Sequence, residues 1–244
     1  MSTPHELTVG VETVLESRPS RPPFRVVFED DGETGYLYAL DDRQDENPMV
    51  DALHIYDAED MSDPDAPSVL RFDWSEDEAA VALVLDDHAH AFIDFEASLA
   101  MCSSDFPPVE PPAFAQSHAW DEEAFKRRFP NLTSDWSRRL ADRFTREQVD
   151  ALSGAKLLVG LTYIGPDGEV ARQLEFAGTI EQVGPDVVSV RRHDTAEVFT
   201  LPPAPEAFQP AEPGDYRLRS SGEVIVNPDF ICTMSVQMAD RGDE

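Results

Sequence analysis

Hydrophobic and polar residues alternate in short runs over the first hundred positions. Leu7 to Val14 alternates in part. Phe24-Arg25-Val26-Val27-Phe28 is rich in β-formers, runs into the turn Glu29-Asp30-Asp31-Gly32 and resumes as Gly35 to Leu40, which predicts a hairpin. Ala52 to Tyr56, Val69 to Trp74 and Ala80 to Leu85 follow, and Asp86-Asp87 turns the last of these into His88 to Phe95. Strand-length runs about 10–16 residues apart, with turn residues between them, predict an antiparallel sheet.

The period then changes. Trp120 to Arg128 predicts a helix with acids in its first turn and Lys126-Arg127-Arg128 in its last, as the helix dipole favours, and Pro130 ends it. Trp136, Leu140 and Phe144 fall on one helical face, Thr145-Arg146-Glu147-Gln148 has the form of a capping box, and Gly154 stops the run. From Lys156 the strand period returns: Lys156 to Ile164, Glu169 to Gly178, Val187 to Val190, Glu197 to Leu201, Tyr216 to Arg219, Glu223 to Val226 and Ile231 to Met238. Ser220-Ser221-Gly222 forms a tight turn between two of them.

These patterns predict a β-rich α+β chain: an antiparallel sheet domain over 1–107, a proline-rich linker over 108–118, a helical segment over 119–153 and a small SH3-like β-barrel over 154–244. The longest apolar run, Ala79 to Leu85, is far short of the roughly 20 residues of a membrane span. The N-terminus lacks the basic and apolar regions of a secretory signal. Cys102 and Cys232 lie in different halves and read as reduced thiols of a cytoplasmic protein.

Charge changes the picture more than composition does. The 244 residues carry 49 Asp+Glu and 19 Lys+Arg, a formal net of -30. Up to Ser117 there are 27 acids and 5 bases, a net of -22; the remainder holds 22 and 14, a net of -8. Phosphate backbones and anionic membranes need clustered cations, so the expectation is no nucleic acid and no membrane partner. A basic protein partner or a cation fits the charge, and so does plain solubility. The acids crowd into turns, where solvated charge costs least.

Two stretches carry a resemblance. FRVVFEDDGETGYLYALD, DALHIYD, FDWS, AHAFIDF and SSDFP, over roughly 7–107, resemble a bacterial domain family of unknown function. KLLVGLTYIGPDGE, EFAGTI, VFTLPP and AFQPAEPGDYRLRSSGEVIVNPDF, over roughly 152–232, are similar to a second uncharacterised bacterial domain. The resemblance implies a cytoplasmic bacterial protein of two modules and transfers no chemistry. In style the chain also looks like small acidic immunity proteins that neutralise toxins.

The candidate chemistry is sparse. On a strand, His88, His90, Phe92 and Asp94 share a face, and with His54 from a neighbouring strand the imidazoles and carboxylate suit a divalent metal. The same residues also read as a hairpin with solvated histidines and a half-buried Asp94. The acidic loops Asp41 to Asn47 and Asp57 to Asp65 lack the glycine and bidentate glutamate of an EF-hand calcium loop. No GxGxxG, GxxxxGK[ST], HExxH, GxSxG or CxxC motif occurs, so no catalytic residue and no required cofactor is assigned. The cluster Lys126, Arg127, Arg128, Arg138, Arg139, Arg143 and Arg146 reads as a charged helix face paired with acids. Tyr36, Tyr38, Tyr56 and Trp74, on strands rimmed by acids, read either as a protein-binding surface or as a sheet face covered by helices. The function expected is non-catalytic binding of a basic protein, with immunity-like sequestration as one form of it, and a metal-binding protein or metal-dependent enzyme is the alternative.

Overall fold

Each acidic turn reverses the chain between strands whose alternate residues are apolar, and the strands assemble accordingly. The computed structural model describes residues 3–21, 23–44, 47–60, 66–104, 106–109, 114–219 and 222–238. Parts of both acidic loops (45–46 and 61–65), part of the proline-rich stretch (110–113) and Ser220-Ser221 lie outside the described residues. The chain forms two compact units, 1–138 and 139–244.

The first unit contains β1 (His5–Leu7), β2 (Thr13–Ser17), β3 (Phe24–Asp30), β4 (Thr34–Asp41), β5 (Met49–Asp57), β6 (Ser68–Trp74), β7 (Ala80–Leu85), β8 (His88–Asp94), β9 (Leu99–Cys102), α1 (Glu122–Arg128) and β10 (Thr133–Ser134). Strands β2-β3-β4-β5 make an antiparallel four-stranded sheet, and β1-β6-β7-β8-β10 a second sheet, with β9 also on β8. One core joins them. Val26, Phe28, Leu37, Leu53 and Ile55 come from the first sheet, and Leu70, Phe72, Val81, Leu83 and Ile93 from the second. The far face of the second sheet is covered too: Ala80, Ala82, Val84 and Phe92 pack against Trp120, Phe125 and Phe129. That double cover is why Ala-Val-Ala-Leu-Val-Leu of β7 is buried at every position and shows no alternation.

Helix α1 starts at Glu122, two residues after the expected start at Trp120. Asp121 caps it by accepting the Ala124 N–H at 3.0 Å, beside Glu122 and Glu123. At its other end Arg128 donates to Asp94 (Nε–Oδ2 2.6 Å), Asp77 (2.6 Å) and Glu96 (3.0 Å). The boundary between the units falls inside α2 (Asp135–Arg143).

The second unit holds α3 (Arg146–Leu152), β11 (Lys156–Ile164), β12 (Val170–Val183), β13 (Val188–Arg192), β14 (Val198–Leu201), β15 (Phe208–Pro210), β16 (Asp215–Arg217), β17 (Val224–Val226) and β18 (Phe230–Gln237). Thr145 and Gln148 make the expected capping box at α3. The sheet order is β14-β13-β12-β11-β18-β15, with β16-β17 as a separate hairpin. Its core gathers Leu157, Phe176, Ile180, Val190 and Cys232, and burial pushes the Cys232 thiol up to about 11.

The expectation of an α+β fold ending in an SH3-like barrel is overturned. The chain is mostly β, with three short helices and no closed barrel among the described residues. Strand β18 returns parallel to β11 and lies between β11 and β15, so β14 and β15 end as two open edges instead of meeting.

Candidate binding surface

Strand β4 is buried at alternate positions: Leu37 and Ala39 face the core, while Tyr36, Tyr38 and Leu40 face outward. The two tyrosine rings stack at 6.0 Å with their planes 15° apart. His54 of β5, paired in register with Tyr36, stands edge-on to it at 5.3 Å, and Phe106 stands edge-on to His54 at 5.7 Å. Val14 of β2, 66% exposed, and Val27 of β3 continue the apolar patch. Burial raises both phenols above the ordinary tyrosine range. At Tyr36 the charges of Asp57 and Asp31 add to it, and at Tyr38 the Glu29 carboxylate does. The surface is an aromatic strip flanked by negative charge.

Tyr56 does not join it. The pairing of β4 with β5 slips between Gly35 and Tyr36, so that Gly35 lies opposite Tyr56 and Tyr36 opposite His54. Ile55 is therefore an extra residue, and the bulge turns Tyr56 inward. Its hydroxyl donates to buried Asp30 at 2.8 Å, and its ring closes over Gly35, where a Cβ would come within 2.7 Å. Burial, first, and then Asp30 raise its pKa far above the usual range. Trp74 is also elsewhere. It stacks with Phe95 at 6.2 Å and donates its indole N–H to Ser17 at 2.9 Å.

The four residues considered for a metal are not brought together. A second slip, between Leu83 and Val84, makes His90 the extra residue of β8. Ala89 then packs in the same cluster as Phe92, which strict alternation forbids, so His88 and His90 do not keep a common phase. His88 Nδ1 lies 2.9 Å from the Asp86 carbonyl, and His90 Nδ1 lies 4.0 Å from Asp135. Asp94 accepts the N–H groups of Glu96 and Ala97 and both prongs of Arg128. His54 is on the other sheet, 3.2 Å from Asp57. Among the described residues no group of three or more His, Cys, Asp or Glu side chains is placed to hold a metal ion.

Residues 7–129 match a family model described as an uncharacterized protein conserved in bacteria (DUF2251). The chain belongs to this family. An uncharacterized protein of Haemophilus influenzae (strain ATCC 51907 / DSM 11121 / KW20 / Rd) is 32% identical over 135 residues, which are 55% of this chain and 69% of that one. No solved structure matches. The DUF2251 match runs past the resemblance expected over 7–107 and takes in α1, whose Phe125 packs on Phe92 of β8. It ends at 129, so it lends no support to the second resemblance over 152–232. Within the DUF2251 region, sequence reasoning missed Glu29 as part of the strip. The signal was there: Val27 and Glu29 alternate with the core residues Val26 and Phe28. Phe106 carried no such signal, because it reaches His54 from a loop.

Proposed function

We propose that the DUF2251 region is a non-catalytic binding module that takes a basic protein on the outer face of its four-stranded sheet. The observation that carries this reading is the stacked pair Tyr36–Tyr38 on an outward sheet face with Glu29, Asp31 and Asp57 around it. Tyrosine supplies contact area at small entropic cost, its ring faces attract guanidinium and ammonium groups, and the carboxylates steer a cationic partner toward them. The charge of the segment up to Ser117, -22, extends that steering beyond contact distance. Sequestration of a cationic protein, as an immunity protein does with a toxin, fits the same surface.

A fluorescent nona-arginine peptide is the probe, titrated by anisotropy at about 50 and 300 mM salt. Binding should weaken steeply with salt. The double variant Tyr36→Ala/Tyr38→Ala should weaken it about tenfold at both salts while leaving the melting temperature within a few degrees. If the double variant binds like the parent, attraction to the acids is unspecific and the tyrosine face is not the site.

A further inference from the structure

Trp74, which the tyrosine face leaves out, lines a cleft of about 840 Å³ in the first unit. This lies within the roughly 300–1,000 Å³ common for small-ligand sites. The geometry points to a site for a small organic cation, an amine or guanidinium carried on a hydrocarbon chain.

Trp74, Phe72, Phe129 and Leu132 give the cleft apolar walls. Phe72 and Phe129 are 3% and 7% exposed, so these walls belong to the packed interior and do not collapse when empty. Around them stand four carboxylates, Glu16, Asp73, Glu76 and Glu78. Arg18 also lines the cleft, but Glu16 and Asp42 (2.7 Å) already hold its guanidinium, so it offers little to an anion. The remaining titratable group is His5. Glu16 is paired with Arg18 and Arg25 and Asp73 with Arg71, so Glu76 and Glu78 carry the negative field against the low-dielectric walls, and an aromatic face beside them adds cation–π attraction.

The walls are also held in place before any ligand arrives. Ser17 fixes the indole of Trp74 at 2.9 Å. The backbone N–H and hydroxyl of Ser20 fix one oxygen of Glu78, at 2.9 and 2.5 Å. Arg71 fixes Asp73 at 3.0 Å. Glu76, exposed and without a hydrogen bond or ion pair among the described residues, is left to meet the ligand. Fixed walls spare a ligand much of the ordering cost of binding. A hydrocarbon body on the aromatic wall with its cation among the carboxylates uses both halves of the cleft, which neither a bare metal ion nor an anion does.

Agmatine, a guanidinium and an ammonium on a butyl chain, is the probe. Isothermal titration should give saturable one-to-one binding with a Kd below about 1 mM. Glu76→Gln removes a charge from the surface without touching the fold and should weaken binding about tenfold; Trp74→Phe should weaken it as well. Tyr36→Ala/Tyr38→Ala should leave it unchanged, which separates this site from the tyrosine face. The proposal is overturned if agmatine fails to saturate by about 10 mM, if Glu76→Gln binds like the parent, or if the tyrosine pair abolishes the binding.

Discussion

Asp30 ties a turn, a loop and a strand together in the DUF2251 region. It is 1% exposed, and its two oxygens accept the Gly10 N–H, the Gly32 N–H and the Tyr56 hydroxyl, each at 2.8 Å. Asp30→Ala takes the acceptor from the buried Tyr56 hydroxyl and from two part-buried backbone N–H groups, so it should cost about 2–4 kcal/mol in urea unfolding, against about 1 kcal/mol for Tyr56→Phe, after which the carboxylate keeps both backbone donors. Equal losses would mean that the two backbone donors find other partners. At this scale the sequence misleads wherever a strand carries an extra residue. Alternation assigns Tyr56 to the face of His54, and His88 to the face of His90, and in each strand a bulge (at Ile55 and at His90) shifts the phase. A bulge is set by how two strands pair, and no local run of residues records it.

Turns and caps were the legible elements. The hairpin of β3 and β4 and the Thr145 capping box both follow from residues close in sequence, and both are present. The turn between β7 and β8 has the same local logic. Asp86 and Asp87 sit at φ 46° and 67°, left-handed values that a two-residue hairpin of right-handed twist requires. Asp87→Gly removes that strain and gives up an ion pair to Arg71 from a side chain 89% exposed, which is worth little. It should stabilise the protein by about 0.5 kcal/mol, read as a rise in denaturation midpoint at constant slope. A loss of stability would show that the Arg71 pair outweighs the backbone. The parallel pairing of β11 with β18 was illegible for the opposite reason: it joins Leu157 to Phe230, more than seventy residues apart, and nothing near either strand announces a parallel neighbour.

For the whole molecule, the dominant quantity is a net charge of -30. Self-repulsion of that size opposes compaction, and salt screens it. The melting temperature should therefore rise by several degrees between about 20 and 500 mM sodium chloride, measured by calorimetry, even as the same salt weakens any cationic partner. A fall would mean that local ion pairs such as Arg128 with Asp94 and Asp77 dominate over the net field. The asymmetry of charge was legible at once, because summing residues needs no structure; where the acids converge was not, because Glu16, Asp73, Glu76 and Glu78 meet only after two sheets stack. One strand sets the terms of that stacking. Ala80, Ala82 and Val84 of β7 look toward α1, and Val81, Leu83 and Leu85 toward the opposite sheet. Six letters thus act as a spacer with unequal sides: the slim side lets phenylalanines nestle close, and the bulky side keeps the neighbouring layer at arm's length. Lineages drifting at these positions would be expected to trade bulk across the spacer in compensating pairs, thickening one gap only as the other thins.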